Sequence, residues 1–85
     1  MKKNKITEYL IKLLKKKRPI EKKFLKDLNS FNFIDNGHLD SLELISFNFS
    51  IEKKFKIKFN FKELSSKKYK TISGLSDIIF KKINY

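Results

Sequence analysis

The stretch Asp35-Asn-Gly-His-Leu-Asp-Ser-Leu-Glu-Leu-Ile-Ser-Phe-Asn-Phe-Ser-Ile-Glu-Lys-Lys-Phe55 decides the fold. It opens on one of two glycines, passes through an Asp-Ser pair and continues as fourteen residues of amphipathic helix. Asp40 is placed to accept a hydrogen bond from a free backbone N–H at the helix start. Glu43, three residues on, can reach back to the Asp40 N–H and close a carboxylate capping box. Ser41 then falls in the first turn, with its hydroxyl outside the hydrogen-bond ladder. In the predicted helix Ser41–Phe55, Leu42, Ile45 and Phe49 share one face, and Leu44, Phe47, Ile51 and Phe55 an overlapping one. An apolar arc that wide predicts contact with more than one neighbour. Glu43, Ser46, Ser50, Glu52 and Lys53 are left for solvent or for a partner.

Working outward, residues 3–17 carry Ile6, Leu10, Leu13 and Leu14 at helical spacing, with Tyr9 beside them. The run Lys15-Lys-Lys-Arg18 suits the negative end of a helix dipole, and Pro19 disfavours helix at Arg18. Ile20, Phe24 and Leu28 recur every four residues, which predicts a helical turn or two. Residues 29–37 then form an irregular, ordered connection plugged into the core by Phe31, Phe33 and Ile34. Beyond Phe55, Lys56-Ile-Lys-Phe-Asn-Phe61 alternates like a strand but has no clear partner, so it reads as an extended connection. Phe61–Ser66 predicts one short helical turn. The last helix is capped by Thr71 or Ser73 and places Ile72, Leu75, Ile79 and Ile83 on one face, with Lys81 and Lys82 near its end. Gly74 is expected to weaken its first turn modestly. The resulting expectation is a single all-α domain over residues 1–85: three main helices plus one short helix, with a long ordered loop between the first and second main helices.

Eighty-five residues allow only a small core, burying about 60–65% of what the unfolded chain exposes. A spacious buried active site is not expected. With no cysteine, disulfides and thiolate metal sites are excluded. No apolar run approaches the roughly 18–20 residues of a membrane span. The basic opening Met1-Lys-Lys-Asn-Lys-Ile is followed by charges and lacks a small-residue cleavage site, so a cytoplasmic, soluble chain is expected. The formal charge of +12 raises nucleic acid or an anionic membrane as partners. Its distribution is uneven: residues 1–26 carry +9, residues 53–85 carry +8, and residues 27–52 carry −5 with no Lys or Arg. The basic charge therefore avoids the central helix and the loop before it. The absence of Ala, Val, Gln and Trp beside abundant Lys, Asn, Ile and Phe is also what an AT-rich coding sequence produces.

Catalytic patterns are weak. His38 is the single histidine, and a Ser41–His38 pair lacks a defined orienting group and oxyanion hole. His38 reads as a loop residue without a special role. No glycine-rich phosphate loop is present, and the acids match no metal-ligand pattern. Ser41 suits a different use. A helix N-terminus offers free N–H groups and partial positive charge, so a phosphodiester on the Ser41 Oγ would be tolerated there.

Leu39-Asp40-Ser41-Leu42, the helix running on to Phe55, and Lys56-Ile57 resemble the signature of acyl carrier proteins. The spacing from Ser41 to Phe55 is similar to that family's second helix. Tyr69-Lys-Thr-Ile-Ser-Gly-Leu-Ser-Asp-Ile-Ile79 resembles its last helix and threonine cap. The resemblance implies a four-helix acyl-carrier-like bundle, with 4′-phosphopantetheine (drawn from coenzyme A) attached to Ser41 and Asp40 as the cap beside it. It implies a non-enzymatic carrier holding an acyl or aminoacyl thioester for fatty acid or specialised biosynthesis. The implied partners are a phosphopantetheinyl transferase, whose divalent metal is its own, and acyl- or aminoacyl-loading and transferring enzymes. Leu42, Glu43, Ser46 and Glu52 become the expected recognition residues, with Leu42 and the Phe-rich face fixing the helix. A monomer without nucleic acid or stable membrane insertion is expected.

Typical carriers of fatty acid synthesis are strongly acidic on this helix, whereas Lys53 and Lys54 stand here. The Asn-Gly-His-Leu-Asp-Ser approach is more similar to carriers dedicated to one pathway, including D-alanyl carriers and those of surface-polysaccharide or natural-product clusters. Two other readings compete: a basic helical protein that binds nucleic acid or an anionic membrane, and a carrier-like fold that is never modified and serves as an interaction module.

Overall fold

Helical periodicity, not charge, sets the architecture. A computed structural model describes residues 2–84. Three long helices, α1 (Lys3–Lys17), α3 (Ser41–Phe55) and α5 (Ile72–Asn84), are joined by segments holding two short ones, α2 (Lys22–Lys26) and α4 (Phe61–Leu64), and a 3₁₀ turn at Lys67–Lys70. The described residues contain no strand; a single antiparallel bridge links Asn32 to Thr71. The expected all-α class with three main helices is observed, and α2 falls in the segment where a helical turn or two is predicted.

Helices α1 and α5 bury the face their spacing predicts, and α3 buries one of its two. Ile6, Leu10 and Leu14 of α1 meet Ile72, Leu75 and Ile79 of α5 and Phe47 and Ile51 of α3 in one core. A partly buried hydroxyl pair, Thr7 Oγ1 with Ser76 Oγ at 2.9 Å, links α1 to α5 beside this apolar contact. Helix α1 ends at Lys17, and Arg18 turns extended ahead of Pro19, as the pyrrolidine ring requires. The connection between α1 and α3 is ordered because it supplies core. Phe31 and Phe33 are buried, and Phe33 sets its ring edge against Phe47 with centroids 5.4 Å apart. The Phe33 N–H donates to the Lys70 carbonyl at 3.0 Å, which fixes this loop to the residues just before α5.

Helix α3 ends at Lys56 in the left-handed conformation (φ 57°, ψ 47°). The Ile57 N–H returns to the Glu52 carbonyl at 3.1 Å, closing the last turn. The alternating segment after it is extended as predicted: Ile57 and Phe59 pack on the core while Lys56, Lys58 and Asn60 face solvent. Helix α4 carries a second capping box, Asn60 with Glu63, whose Asn-x-x-Glu spacing is legible in the sequence. Lys82 of α5 pairs with Glu63 at 2.9 Å and holds α4 down.

Thr71, not Ser73, caps α5, its Oγ1 accepting the Gly74 N–H at 3.1 Å. The reading of Gly74 as a mild defect is incomplete. A Cβ at Gly74 would lie 2.3 Å from the Lys68 carbonyl oxygen, so the missing side chain is what lets the 3₁₀ turn press against α5.

Candidate functional site

The site is the start of α3 and the residues that hold it. Leu39 is buried, and from Asp40 onward the chain emerges: Asp40, Ser41 and Leu42 are all exposed. Asp40 is extended (φ −80°, ψ 178°), the backbone state that lets its side chain turn over the first helical turn. Its Oδ1 accepts the Glu43 N–H at 2.7 Å, and Glu43 Oε1 accepts the Asp40 N–H at 3.0 Å. The capping box read from the sequence is therefore formed. Because those two carboxylates share the capping, Ser41 Oγ is spared that duty and stands exposed at the first helical position.

Arg18, at the end of α1, and His38, two residues before Asp40, lock this corner to α1. Arg18 Nη1 donates to Glu43 Oε1 at 2.8 Å and to the His38 carbonyl at 2.7 Å. The buried His38 ring sets its Nε2 2.8 Å from the Leu14 carbonyl. A carbonyl only accepts, so Nε2 carries the proton and donates. The ring edge packs on Phe31, and the His38 N–H donates to Asn36 Oδ1 at 2.9 Å. Gly37 (φ +76°) makes the turn that this placement needs. The expectation that His38 has no special role is thus corrected: it ties the loop before Ser41 to the last turn of α1. Its spacing gave no signal of this, because the partner is a backbone carbonyl 24 residues away.

Electrostatically the corner is compensated. The Asp40 N–H and then the Arg18 guanidinium hold the Glu43 carboxyl below its ordinary value, against weak desolvation. The segregation of charge along the sequence does not survive folding. Arg18 lies on Glu43 and Lys70 on Asp35, while Lys16 and Lys17 line a cleft of about 140 Å³ with Leu13, Leu39, Phe47, Ser46 and Ser50.

Of the expected recognition residues, Leu42, Glu43 and Ser46 lie together at the start of α3, and Glu52 does not join them. Glu43 and Glu52 are nine residues apart, which at 3.6 residues per turn sets them about 180° apart around α3. Glu52 Oε2 accepts the Phe59 N–H at 2.9 Å, an internal tie for the extended connection. Ser46, one turn beyond Leu42 and Glu43 and beside both, is exposed at the rim of that cleft. Leu42, expected to fix the helix, is 79% exposed, and Ile45 and Phe49 on the same face are 66% and 65% exposed. The arc does meet more than one neighbour, Phe47 packing on Phe33 of the loop and Phe55 on Tyr9 of α1, while its Leu42, Ile45 and Phe49 side stays largely exposed. Phe47 and Ile51 do the anchoring instead. Tyr69 adds a polar anchor through its OH to Asn48 Oδ1. Burial, with the charge of Glu52, pushes the Tyr69 phenol well above its ordinary value, so it stays a neutral donor.

Among the described residues, no group of three or more His, Cys, Asp or Glu side chains is placed to hold a metal ion. No described helix is long and apolar enough to cross a membrane. No protein-family model, curated protein or solved structure matches the chain.

Proposed function

We propose that this chain is a carrier that bears 4′-phosphopantetheine on Ser41 and holds an acyl or aminoacyl group for other enzymes, without catalysis of its own. The observation that carries the proposal is the geometry at Ser41. An exposed serine occupies the first position of a fifteen-residue helix, directly after a carboxylate cap, on a corner pinned by His38 and Arg18. The all-α layout with three long helices around it supports the reading that the Asp40-Ser41-Leu42 resemblance implies.

The residues present fit such a group. Ser41 Oγ can form a phosphodiester without losing a cap, since Asp40 and Glu43 complete each other. The negative charges already at this helix end are offset in part by Arg18. When bound, the arm supplies a terminal thiol for a thioester. The chain's own residues hold the attachment point still and leave it open to solvent.

The test is intact mass after incubation with coenzyme A and a broad-specificity phosphopantetheinyl transferase, on the native chain and on Ser41→Ala. The native chain is expected to gain one phosphopantetheine and the variant none. Absence of any gain overturns the carrier reading, and equal gain by the variant overturns the site. One observation favours the unmodified interaction module as second reading: two carboxylates already occupy the α3 N-terminus. The same mass measurement separates the two.

A further inference from the structure

The end of the bundle remote from Ser41 is basic. Helix α1 runs antiparallel to α3: Arg18 meets Glu43 at one end, and Tyr9 sets its ring against Phe55 at the other. At 1.5 Å per residue, the length of α3 puts Ser41 and Phe55 about 20 Å apart. At the far end, the end of α3, the extended connection, α4 and the last turns of α5 border an open cleft of about 560 Å³. Ile57 and Ile78 supply its apolar part, with Lys56, Lys58, Lys81 and Lys82 around them. Across the end of α3, Lys54 lies over the Tyr9 ring and lines a second cleft with Lys5 and Lys12.

The acids of this end are engaged inside the fold. Glu63 accepts the Asn60 N–H and pairs with Lys82, and Glu52 accepts the Phe59 N–H. Glu8 pairs with Lys5, and Asp77 with Lys3. Lys53, Lys54, Lys56, Lys58 and Lys81 are in no ion pair among the described residues. Cations crowded at one end without counter-charge repel one another, so an external anion is favoured there. Apolar surface stands beside them. Glu63 is tied to Lys82 at 2.9 Å, and its α4 neighbours Phe61 and Leu64 are 83% and 41% exposed. Three residues apart, those two share one side of α4.

We propose that this end is a peripheral attachment site for an anionic phospholipid surface, with the lysines at the level of the phosphates and Phe61 entering the headgroup layer. Lysine stems lie along apolar surface while their ammonium groups stay among phosphates, and exposed apolar side chains add burial that charge alone does not give. The contact is with the surface only, since no described helix is long and apolar enough to cross a bilayer. Nucleic acid is a poorer fit: it offers phosphates but no apolar layer for Leu64. An acidic protein patch is compact, whereas these lysines are spread over two clefts, which suits a continuous anionic surface. A second copy of this chain would bring +12 against the same lysines. The site rests on charge and exposure and not on the carrier reading. Taken together with that reading, it holds Ser41 about 20 Å from the lipid, open to other proteins.

The test is co-sedimentation of the 85-residue chain with vesicles of equal parts phosphatidylglycerol and phosphatidylcholine, against phosphatidylcholine alone. Residue-resolved NMR of the ¹⁵N-labelled chain locates the contact. Binding is expected only to the mixed vesicles, falling as salt is added, with signal attenuation centred on Lys56, Lys58, Phe61 and Lys81 and least at Ser41. Each lysine at an anionic surface is worth roughly fivefold in affinity, so Lys58→Gln with Lys81→Gln should weaken binding about 25-fold. Lys22→Gln with Lys26→Gln, an equal change of charge on α2, should weaken it far less. Phe61→Ser should weaken binding several-fold without changing its salt dependence. The proposal is overturned by equal binding to phosphatidylcholine, by equal loss in the α2 variant, by full affinity in Phe61→Ser, or by attenuation centred elsewhere. Tighter binding of a short DNA duplex or a poly-Glu peptide at this end also overturns it. Loading of Ser41, read by mass on the same variants, keeps the two readings apart. Vesicle binding without loading removes the carrier reading alone, and loading without vesicle binding removes the attachment site alone.

Discussion

Gly74→Ala should destabilise this protein, although the same change in an ordinary helix stabilises it. From helix propensity alone, alanine is favoured over glycine by about 1 kcal/mol. At Gly74 the added Cβ would lie 2.3 Å from the Lys68 carbonyl oxygen, 2.7 Å from its Cα and 2.8 Å from its carbonyl carbon. All three are backbone atoms, so no side chain can swing away, and the 3₁₀ turn must move by about 1 Å to reach ordinary contact. That turn carries Tyr69, buried in the core and bonded to Asn48, and the Lys70 carbonyl that receives the Phe33 N–H. Overpacking of this kind costs about 1–3 kcal/mol, toward the upper end where backbone must move. After the propensity gain is set against it, a net loss of about 1–2 kcal/mol remains. For a domain of this size that lowers Tm by roughly 5–15 °C. Thermal and urea unfolding followed by circular dichroism would read it, with Ser73→Ala as a neighbour expected to stay within about 0.5 kcal/mol. An unchanged or raised Tm for Gly74→Ala would refute the close approach of turn and helix.

Three further outcomes are expected. Asp40→Ala should cost about 0.5–2 kcal/mol in urea unfolding while Asp40→Asn, which keeps the acceptor, stays near the native value; equal losses would remove the capping argument. Phe33→Ala should cost about 3–5 kcal/mol, because the ring is fully buried, whereas Phe49→Ser, on the exposed side of α3, should fall within about 0.5 kcal/mol. Acid should destabilise the fold. Glu43 is held below its ordinary value by the Asp40 N–H and Arg18. In Glu63, burial is outweighed by the Asn60 N–H and Lys82. A depressed folded pKa adds stability above the unfolded value, and that stability is lost as pH falls through the folded one. Tm should therefore decline below pH about 4.5, and Glu63→Gln should flatten the decline.

The α3 cap shows how much local sequence can carry. Asp40 and Glu43 are three residues apart, and a capping box needs only that spacing and an extended Asp40. It was legible, as were the end of α1 before Pro19 and the extended connection between Lys56 and Phe61, of which residues 57–60 lie outside any helix. The buried faces of α1 and α5 followed from period alone, because lysines elsewhere on those helices leave one apolar side. The same logic reached the exposed Ser41 and, through its neighbours, the resemblance on which the carrier proposal stands.

What sequence left open depends on groups distant along the chain. The apolar arc of α3 is wide, but only its Leu44, Phe47, Ile51 and Phe55 side packs on the core. Periodicity records which side chains share a face, never whether a neighbour arrives to cover it. Charge counted by segment put residues 27–52 in an acidic block, and folding brought Arg18 and Lys70 onto it. Electrostatic energy depends on distance in space, and a guanidinium 25 residues away can lie 2.8 Å from Glu43. His38 and Gly74 are the sharpest cases: each acts on a backbone carbonyl that sequence position does not reveal. The sequence by itself determined the three long helices, the cap of α3 and the serine at its start. Only the tertiary structure decided that this start is bolted to α1, that its acids are engaged internally, and that Leu42, Ile45 and Phe49 are left exposed.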